Sequence, residues 1–320
     1  MIDHWARKRQ ILMALADENF VSGEILAQLL GISRTAIANH ISALEEYGVD
    51  IYSVKGKGYK LVNLVYLVDE EKLTAATHNR CFYFNELGST NAFLLKHMDE
   101  LKSGDICVSE YQSAGRGRRG RTWFSPYGCH LYTSIFWSFP QGMAQAMGLS
   151  LVVACSLVKV LEAFGVSGLG VKWPNDIYLN HKKLAGVLVE MSGQTDSECN
   201  VVIGIGINMA MPNAQGDAIG QPWSDLSELE HKPSKTDLVI ALQKQLFTDL
   251  RLFEAQGLVA FMVRWQAADL FLNQAVILSM ASNHVSGICK GIDDKGAILL
   301  ETTQGLEAYV GGEISLRSAS

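Results

Sequence analysis

The chain has 320 residues, 48% of them hydrophobic, which is enough apolar material for about two domains and excludes a disordered chain. A net charge of -6 excludes a polycation that coats nucleic acid or membrane, so any DNA contact has to be local. The six cysteines form no CxxC pair and the eight histidines no HExxH spacing, which favours a reducing compartment and no zinc site. The most apolar stretch, residues 147–158, is too short to cross a bilayer, so we expect a cytoplasmic protein without a membrane partner.

Residues 1–64 predict a helix-turn-helix domain. Ser22 and Ser33 are placed to cap two successive helices, and Gly31 lies between them. Two short β-prone runs follow within residues 51–62, separated by a glycine-bearing tip. A hairpin in this position is typical of the wing of a winged helix-turn-helix.

The later of these two helices has a polar face that suits a DNA major groove. Arg34 and Asn39 can make bidentate contacts to guanine and adenine edges, and Lys55 and Lys57 of the hairpin can reach phosphates. The alternative is an ordinary solvated surface, but the basic hairpin favours DNA. The predicted DNA-binding residues are Ser22, Ser33, Arg34, Thr35, Asn39, His40, Lys55 and Lys57.

Beyond residue 64 the pattern predicts an α+β protein with two further domains. Over residues 65–269 strands alternate with helical runs, among them a buried helix near 148–164 and an amphipathic helix over 235–256. The predicted strands of this central domain are 107–111, 131–137, 171–172, 177–179, 184–190 and 201–207. From 270 to 320 only short strands and turns occur, which is typical of a small β-barrel.

An arginine-rich glycine loop over residues 112–123 follows a predicted strand. Gly115, Gly117 and Gly120 satisfy GxGxxG, but Trp, Phe, Pro and Gly occupy residues 122–128, where a Rossmann fold needs a helix, so a dinucleotide site is excluded. Glycine lets a ligand approach the backbone, and guanidinium groups pair with phosphate or carboxylate. The alternative, a disordered or solvated charge run, fits poorly between hydrophobic strands.

Three further segments favour an anionic ligand. Lys172 and Asp176 lie near a strand end, and the Asp176 carboxylate can hold Mg²⁺ on a nucleotide. The lysine pair at 182–183 precedes a strand, a pattern that more often forms only a charged hairpin. The glycine-spaced strand 204–208 allows close packing against a ring or ribose, and equally close packing between strands. Together these segments predict a site for an anionic adenylate.

The chain resembles the bacterial bifunctional biotin protein ligases and biotin operon repressors in the segments GRGRRGR, TWFSPYG, KWPND, KLAGVLVE, GIGINM and GGEISLR. The resemblance covers essentially the whole chain and implies a winged helix-turn-helix, a mixed-sheet ligase domain of class II synthetase type, and an SH3-like C-terminal barrel. It implies that biotin and MgATP give biotinyl-5'-AMP, and that a lysine of the biotin carboxyl carrier protein of acetyl-CoA carboxylase then takes the biotinyl group. The adenylate-loaded protein is expected to form a homodimer and to repress the biotin operator.

The resemblance also implies roles for individual residues. Biotin is expected to contact Ser89, Thr90, Asn91, Gln112, Arg116, Gly117, Arg118 and Lys183, and Arg118 and Lys183 are the expected catalytic residues. The nucleotide is expected to contact Arg121, Trp123, Lys172, Asn175, Asn208 and Trp223. Gly88 stands where members commonly have Asp, from which we expect altered loop support rather than lost activity. Residues 211–223 match the family's adenylate-ordered loop in position, and we expect them to be mobile without nucleotide.

Two other functions stay open. One is a transcription factor that senses a nucleotide without ligase activity, and intact Arg118 and Lys183 argue against it. The other is a lipoate ligase of related architecture. The absence of an RRxSGGG loop argues against that alternative.

Overall fold

The structure is a computed structural model. It describes residues 4–17, 19–77, 79–193, 198–211, 221–227, 229–280, 283–310 and 314–318. Within these ranges an N-terminal helical region precedes a central seven-stranded sheet with helices, and a five-stranded sheet follows. The predicted α+β class is therefore confirmed.

The N-terminal region contains the predicted helix-turn-helix. Its elements are α1 (His4–Ala14), α2 (Gly23–Leu30), α3 (Arg34–Glu45), β1 (Ile51–Val54) and β2 (Gly58–Leu61). The hydroxyls of Ser22 and Ser33 accept hydrogen bonds from the backbone N–H groups of Ile25 and Ala36, each at 3.1 Å. Gly31 ends α2 with a φ of 64°, a left-handed conformation that favours glycine. Local capping therefore sets the turn between α2 and α3.

The central sheet is mixed. Its strands are β3 (Cys81–Phe84), β4 (Ile106–Ser109), β5 (His130–Phe139), β6 (Leu169–Lys172), β7 (Asp176–Leu179), β8 (Lys182–Gly193) and β9 (Cys199–Asn208). The order across the sheet is β3-β4-β5-β9-β8-β7-β6. Strands β3 and β4 are parallel, and the other described neighbours are antiparallel. The two long strands β8 and β9 thus lie at the middle of the sheet.

Different helices cover the two faces of this sheet. The helices are α4 (Glu70–Ala76), α5 (Thr90–Lys96), α6 (Leu149–Ala163), α7 (Lys235–Gln256) and α8 (Met262–Ala268). Ile135 and Ile203 pack in the main core with residues of α6 and α7, whereas their neighbours Phe136 and Val202 pack with Leu94 of α5. Because successive strand residues point to opposite faces, the α5 face also receives the even-numbered residues of β8 and β9.

One helical stretch, residues 143–163, has the length and composition of a membrane span. It is longer than the stretch 147–158 that the sequence singled out as too short. Within the structure 67% of its apolar window is buried, and α6, which forms most of it, packs in the main core. Burial of this kind is typical of a core helix.

The C-terminal region is a five-stranded antiparallel sheet. It consists of β10 (Ala275–Met280), β11 (Asn283–Ile292), β12 (Ile298–Thr302), β13 (Gly305–Tyr309) and β14 (Ile314–Ser318), in the order β13-β12-β11-β10-β14. At the turn before β12 the Asp293 carboxylate accepts hydrogen bonds from the backbone N–H of Lys295 and Ala297. The carbonyl of Gly296 accepts a hydrogen bond from the Trp173 indole at 3.0 Å, which attaches this turn to the central region.

An aromatic stack joins the N-terminal and central regions. The ring of Trp5 lies parallel to that of Tyr127, with centroids 4.2 Å apart, and packs edge-on against Tyr47. The Lys8 ammonium lies 4.9 Å from the Trp5 ring centroid. Trp5 is 3% exposed and Tyr127 is fully buried, so helix α1 packs directly on the central region.

A buried charge cluster lies beside this stack. Arg9 of α1 donates to the Val68 carbonyl at 2.8 Å, and its guanidinium lies 3.4 Å from the Glu110 carboxylate. The other oxygen of Glu110 accepts from the Lys235 ammonium at 2.5 Å, and neither side chain of that pair is exposed. Glu110 precedes Gln112 by two residues. The contact between the regions therefore lies next to the predicted biotin site.

Candidate active site

The Ser-Thr-Asn segment begins α5 and is tied to Gln112. Ser89 is the N-cap, and its hydroxyl accepts from the backbone N–H of Ala92 at 3.4 Å. The backbone N–H and the hydroxyl of Thr90 lie 2.9 and 3.2 Å from Gln112 Oε1. The Ser134 hydroxyl of β5 lies 2.7 Å from Thr90 Oγ1. The structure thus joins Thr90 and Gln112, two of the predicted biotin residues, in one hydrogen-bonded group, and Ser89 caps the helix that carries Thr90.

Asn91 is buried against β8 and β9. Its amide nitrogen donates to Glu190 Oε2 at 2.8 Å and to the Leu188 carbonyl at 3.3 Å. Its amide oxygen lies 2.5 Å from the Ser134 hydroxyl. A Cβ on Gly204 would stand 2.3 Å from that oxygen, so glycine is required at 204 by the close approach of Asn91.

The ring of Trp123 lies on the sheet over two further glycines. A Cβ on Gly206 would stand 2.5 to 2.7 Å from indole atoms, and one on Gly186 would stand 3.3 Å away. The Lys183 ammonium lies 5.7 Å from the ring centroid. The glycine spacing of β9 therefore serves close packing against a ring, and in this structure the ring belongs to the chain itself.

The arginine-glycine loop folds as a compact turn. The backbone N–H of Gly117 donates to the Arg121 carbonyl at 2.7 Å, and that of Trp123 donates to the Gly115 carbonyl at 2.9 Å. A Cβ on Gly115 would stand 2.3 Å from the Trp123 carbonyl oxygen. The loop contains a short 3-10 turn, Arg118–Gly120, in place of the helix that a dinucleotide fold needs.

Two arginines attach this loop to a strand and to a turn of the central sheet. Arg116 pairs with Glu190 of β8 at 2.8 Å, and Arg118 donates to the amide oxygen of Asn175 at 2.9 Å. Burial lowers the pKa of the Arg118 guanidinium, and the nearby Asp176 charge opposes that shift. Asn175 is itself held, because its amide nitrogen donates to the backbone of β8. The loop therefore spans from the biotin group to the start of β7.

Lys183 lies at the centre of the predicted site. Its ammonium pairs with the Asp176 carboxylate at 2.8 Å, and the two side chains are 15% and 20% exposed. Residues 222–224 run beside it through two backbone hydrogen bonds of 3.1 and 2.9 Å, which places Trp223 opposite Lys183. The Asn208 amide donates to the backbone of the same segment. Four of the predicted site residues therefore meet at the start of β8, namely Asp176, Lys183, Asn208 and Trp223.

The remaining predicted positions lie farther along β6, on the arginine-glycine loop and before α5. Lys172 lies opposite Asp176 in the sheet and donates to the Tyr178 hydroxyl at 3.3 Å. Arg121 is exposed on the loop. A Cβ on Gly88 would meet nothing within 4 Å, so the fold has room for a side chain there. Most of the predicted mobile loop, residues 212–220, lies outside the described residues.

Asp176 was predicted to hold a magnesium ion. Over the described residues there is no group of three or more His, Cys, Asp and Glu side chains that could hold a metal ion. Mg²⁺ that arrives on a nucleotide is commonly held by one or two carboxylates together with the phosphates. Asp176 fits an ion of that kind, and its pairing with Lys183 places it near the expected phosphates.

Ser134 and Glu190 are not among the predicted site residues. Both lie on the α5 face, since Ser134 pairs with Gly204 across β5 and β9, and Glu190 pairs with Val202 across β8 and β9. Side chains alternate between the two faces of a strand. Counting from the glycines of β9 therefore places both residues on one face, and this alternation is the signal that could have found them.

The predicted DNA-binding face lies on α3 and the hairpin. The exposed members are Ser33, Arg34, Thr35, Asn39, Lys55 and Lys57. The Ser22 and Ser33 hydroxyls serve as helix caps, as described above. His40 is half-buried, and partial burial together with the charges of Lys8 and Arg7 lowers its pKa. Tyr59 of β2 also pairs with Val21 through backbone hydrogen bonds of 2.9 Å, which form an isolated bridge beside the hairpin.

Comparison with known proteins assigns each region to a family. Residues 7–60 match an HTH domain, residues 83–208 match the biotin/lipoate A/B protein ligase family, and residues 271–317 match the biotin protein ligase C-terminal domain. A biotin protein ligase from Aquifex aeolicus, solved with biotin and ATP, superposes with a TM-score of 0.64 at 26% identity, covering 75% of this chain and 99% of that one. The fold and site thus define a ligase of the biotin/lipoate class with an added DNA-binding domain.

Full-length relatives narrow this class. The chain is 44% identical over 311 residues to the bifunctional ligase/repressor BirA of Escherichia coli, with 97% of each chain covered. It is 30% identical to the protein of the same name from Bacillus subtilis, with 95% and 96% covered. The chain belongs to the family of bifunctional biotin ligase/repressors, and it is a biotin-protein ligase.

Proposed function

We propose that this chain joins biotin and ATP to form biotinyl-5'-AMP and then transfers the biotinyl group to one lysine of the biotin carboxyl carrier protein of acetyl-CoA carboxylase. The observation that carries the proposal is the convergence of Lys183, Asp176 and Arg118 beside the hydrogen-bonded group of Thr90 and Gln112. Anion-binding side chains and a site for a polar ring thus lie on one face of one sheet.

The first step brings two anions together. A biotin carboxylate oxygen bonds to the α-phosphorus of ATP, and pyrophosphate leaves. The ammonium of Lys183 and the guanidinium of Arg118 neutralise and align the reacting groups, so the step needs no nucleophilic side chain. Asp176 would hold a Mg²⁺ ion bound to ATP, which would supply further charge neutralisation. In the second step the carrier lysine attacks the acyl carbon and AMP leaves.

The two substrates use adjacent parts of the site. Biotin carries a neutral ureido ring on an apolar tail, which suits a pocket with few hydrogen bonds. Its contacts are assigned to Ser89, Thr90, Asn91, Gln112, Arg116, Gly117, Arg118 and Lys183. The nucleotide is assigned to Arg121, Trp123, Lys172, Asn175, Asn208 and Trp223. The pairing of Trp223 with Lys183 supports placing the nucleotide next to the biotin carboxylate.

The N-terminal domain is the repressor part, and we interpret it as a winged helix-turn-helix with β1–β2 as the wing. Arg34, Thr35 and Asn39 read base edges from α3, with His40 beside them, and Lys55 and Lys57 bind phosphates. Ser22 and Ser33 act by fixing the helix starts. Binding of biotinyl-5'-AMP promotes a homodimer that matches a two-fold operator. The assignment to DNA is supported by the exposure of Arg34, Thr35, Asn39, Lys55 and Lys57.

The finer architecture follows the family. We assign domains to residues 1–64, 65–269 and 270–320, with a class II synthetase-like central sheet and an SH3-like C-terminal barrel. The five-stranded order β13-β12-β11-β10-β14 is compatible with a barrel whose edges are β13 and β14. We place the protein in the cytoplasm, in agreement with six cysteines that are all free.

Transfer to the carrier protein tests the proposed function. The purified chain is incubated with MgATP, biotin and the apo carrier, and the carrier is analysed by intact mass. We expect one biotinyl group on the acceptor lysine, and none on a carrier with that lysine changed to arginine. The same reaction with lipoate should leave the carrier unmodified, and lipoyl transfer at a comparable rate would favour the lipoate alternative.

A further inference from the structure

The Glu190 carboxylate joins two parts of the proposed biotin site that are distant in sequence. Its Oε2 atom accepts from the Asn91 amide and from the Arg116 guanidinium, each at 2.8 Å. Asn91 belongs to the first turn of α5, Arg116 belongs to the arginine-glycine loop, and Glu190 lies on β8. One oxygen therefore connects a helix start, a strand and a ligand loop.

The Asn91 side of this connection is fixed. Asn91 is 3% exposed, and its amide oxygen and nitrogen are held by Ser134 and by the Leu188 carbonyl as well as by Glu190. The Arg116 side is open to water, since its side chain is 44% exposed and that of Glu190 is 25% exposed. A half-exposed ion pair contributes little to folding, whereas it can still orient the Arg116 side of the loop.

We propose that Glu190 is a positioning residue, which holds Arg116 against the start of α5 and so keeps the arginine-glycine loop near its bound arrangement before biotin enters. A loop ordered in advance loses less conformational freedom when the ligand binds, so affinity improves. Glu190 touches no atom of the reaction, and its loss should raise the KM for biotin and leave kcat nearly unchanged. The expected kinetics rest on the proposed function, but the positioning of the loop does not.

Limited proteolysis tests the positioning without any substrate. Trypsin cuts after the arginines of an accessible loop, and cleavage within residues 116–121 can be located by mass spectrometry. We expect Glu190→Ala to speed cleavage there roughly fivefold or more, because local opening becomes easier. Glu190→Gln keeps an acceptor for Asn91 and should give a smaller increase. The matched control is Glu301→Gln, which removes a carboxylate from a partly exposed pair with Lys290. Equal cleavage rates for Glu190→Ala and this control would overturn the proposal.

Kinetics of adenylate formation provide the second test. We expect Glu190→Ala to raise the KM for biotin roughly three- to tenfold, with kcat within about twofold of wild type. Arg116→Ala and the double variant complete a cycle, and the two effects on KM should be less than additive if Glu190 acts through Arg116. Additive effects, or a loss confined to kcat, would contradict the proposed role. If no form of the protein makes an adenylate, the proposed function fails while proteolysis still decides the role of Glu190.

Discussion

Replacing Glu110 with Gln should destabilise the central region strongly. The Glu110 carboxylate lies 2.5 Å from the Lys235 ammonium with neither side chain exposed, and it also accepts from the Val68 backbone at 2.7 Å and the Tyr83 hydroxyl at 3.1 Å. Glutamine has nearly the same volume, but it leaves the Lys235 charge buried without its counter-ion. Breaking a buried ion pair in this way costs about 3–5 kcal/mol.

Urea unfolding followed by near-ultraviolet circular dichroism measures this cost. With a slope of about 3 kcal/mol per molar urea, the midpoint of Glu110→Gln should fall by about 1–1.7 M. The double variant Glu110→Gln with Lys235→Met removes both charges and should regain much of the loss. Glu301→Gln breaks a partly exposed pair, so it should change stability by less than about 1 kcal/mol. A Glu110→Gln midpoint equal to that of Glu301→Gln, or a double variant no more stable than the single one, would refute the reasoning.

The other predictions concern pH, the glycine strand and DNA. Burial and the Lys235 charge lower the pKa of His130 to about 3, so between pH 3 and 6.5 the unfolded chain binds a proton that the folded chain does not. Stability should therefore fall by about 1.4 kcal/mol for each pH unit below about 6.5, and urea midpoints of His130→Asn should lack this contribution. Gly206→Ala places a Cβ within 2.7 Å of the Trp123 indole and should displace that ring, so calorimetry should show ATP binding weakened by about tenfold or more, and unchanged ATP affinity would contradict the assignment of Trp123 to the nucleotide. Arg34→Ala should flatten discrimination between operator variants, and Lys57→Ala should reduce the salt slope of binding by about one; DNA binding unchanged in both would remove the assignment.

The helix-turn-helix could be predicted because its signals are local. Ser22, Gly31 and Ser33 each act on backbone groups within a few residues, and the structure has the caps where the sequence places them. Strand β3 and helix α5 were not predicted. Helix α5 has only seven residues, which are too few for a clear apolar periodicity. The order of the strands could not be predicted from local sequence patterns either, because β5 pairs with β9 although the 59 residues 140–198 lie between the two strands.

The sequence suggests a candidate set of site residues but not the contacts between them. The resemblance named Asn91, Arg116 and Lys183, yet it did not supply the carboxylates that hold them. Asp176 was singled out for magnesium, and the structure pairs it with Lys183. Glu190 binds partners from two distant segments, and no spacing in one sequence reveals such a contact.

Formation of the acyl-adenylate tests the central claim most directly. The pure protein is incubated with MgATP and biotin, and the mixture is analysed by mass for biotinyl-5'-AMP, with Lys183→Ala and its exposed neighbour Lys182→Ala as a matched pair. We expect wild type and Lys182→Ala to form the adenylate at similar rates, and Lys183→Ala to be slower by about a hundredfold or more while it remains folded. Rates for Lys183→Ala within about threefold of wild type would remove Lys183 from the mechanism, and no adenylate from the wild-type protein would contradict the account as a whole.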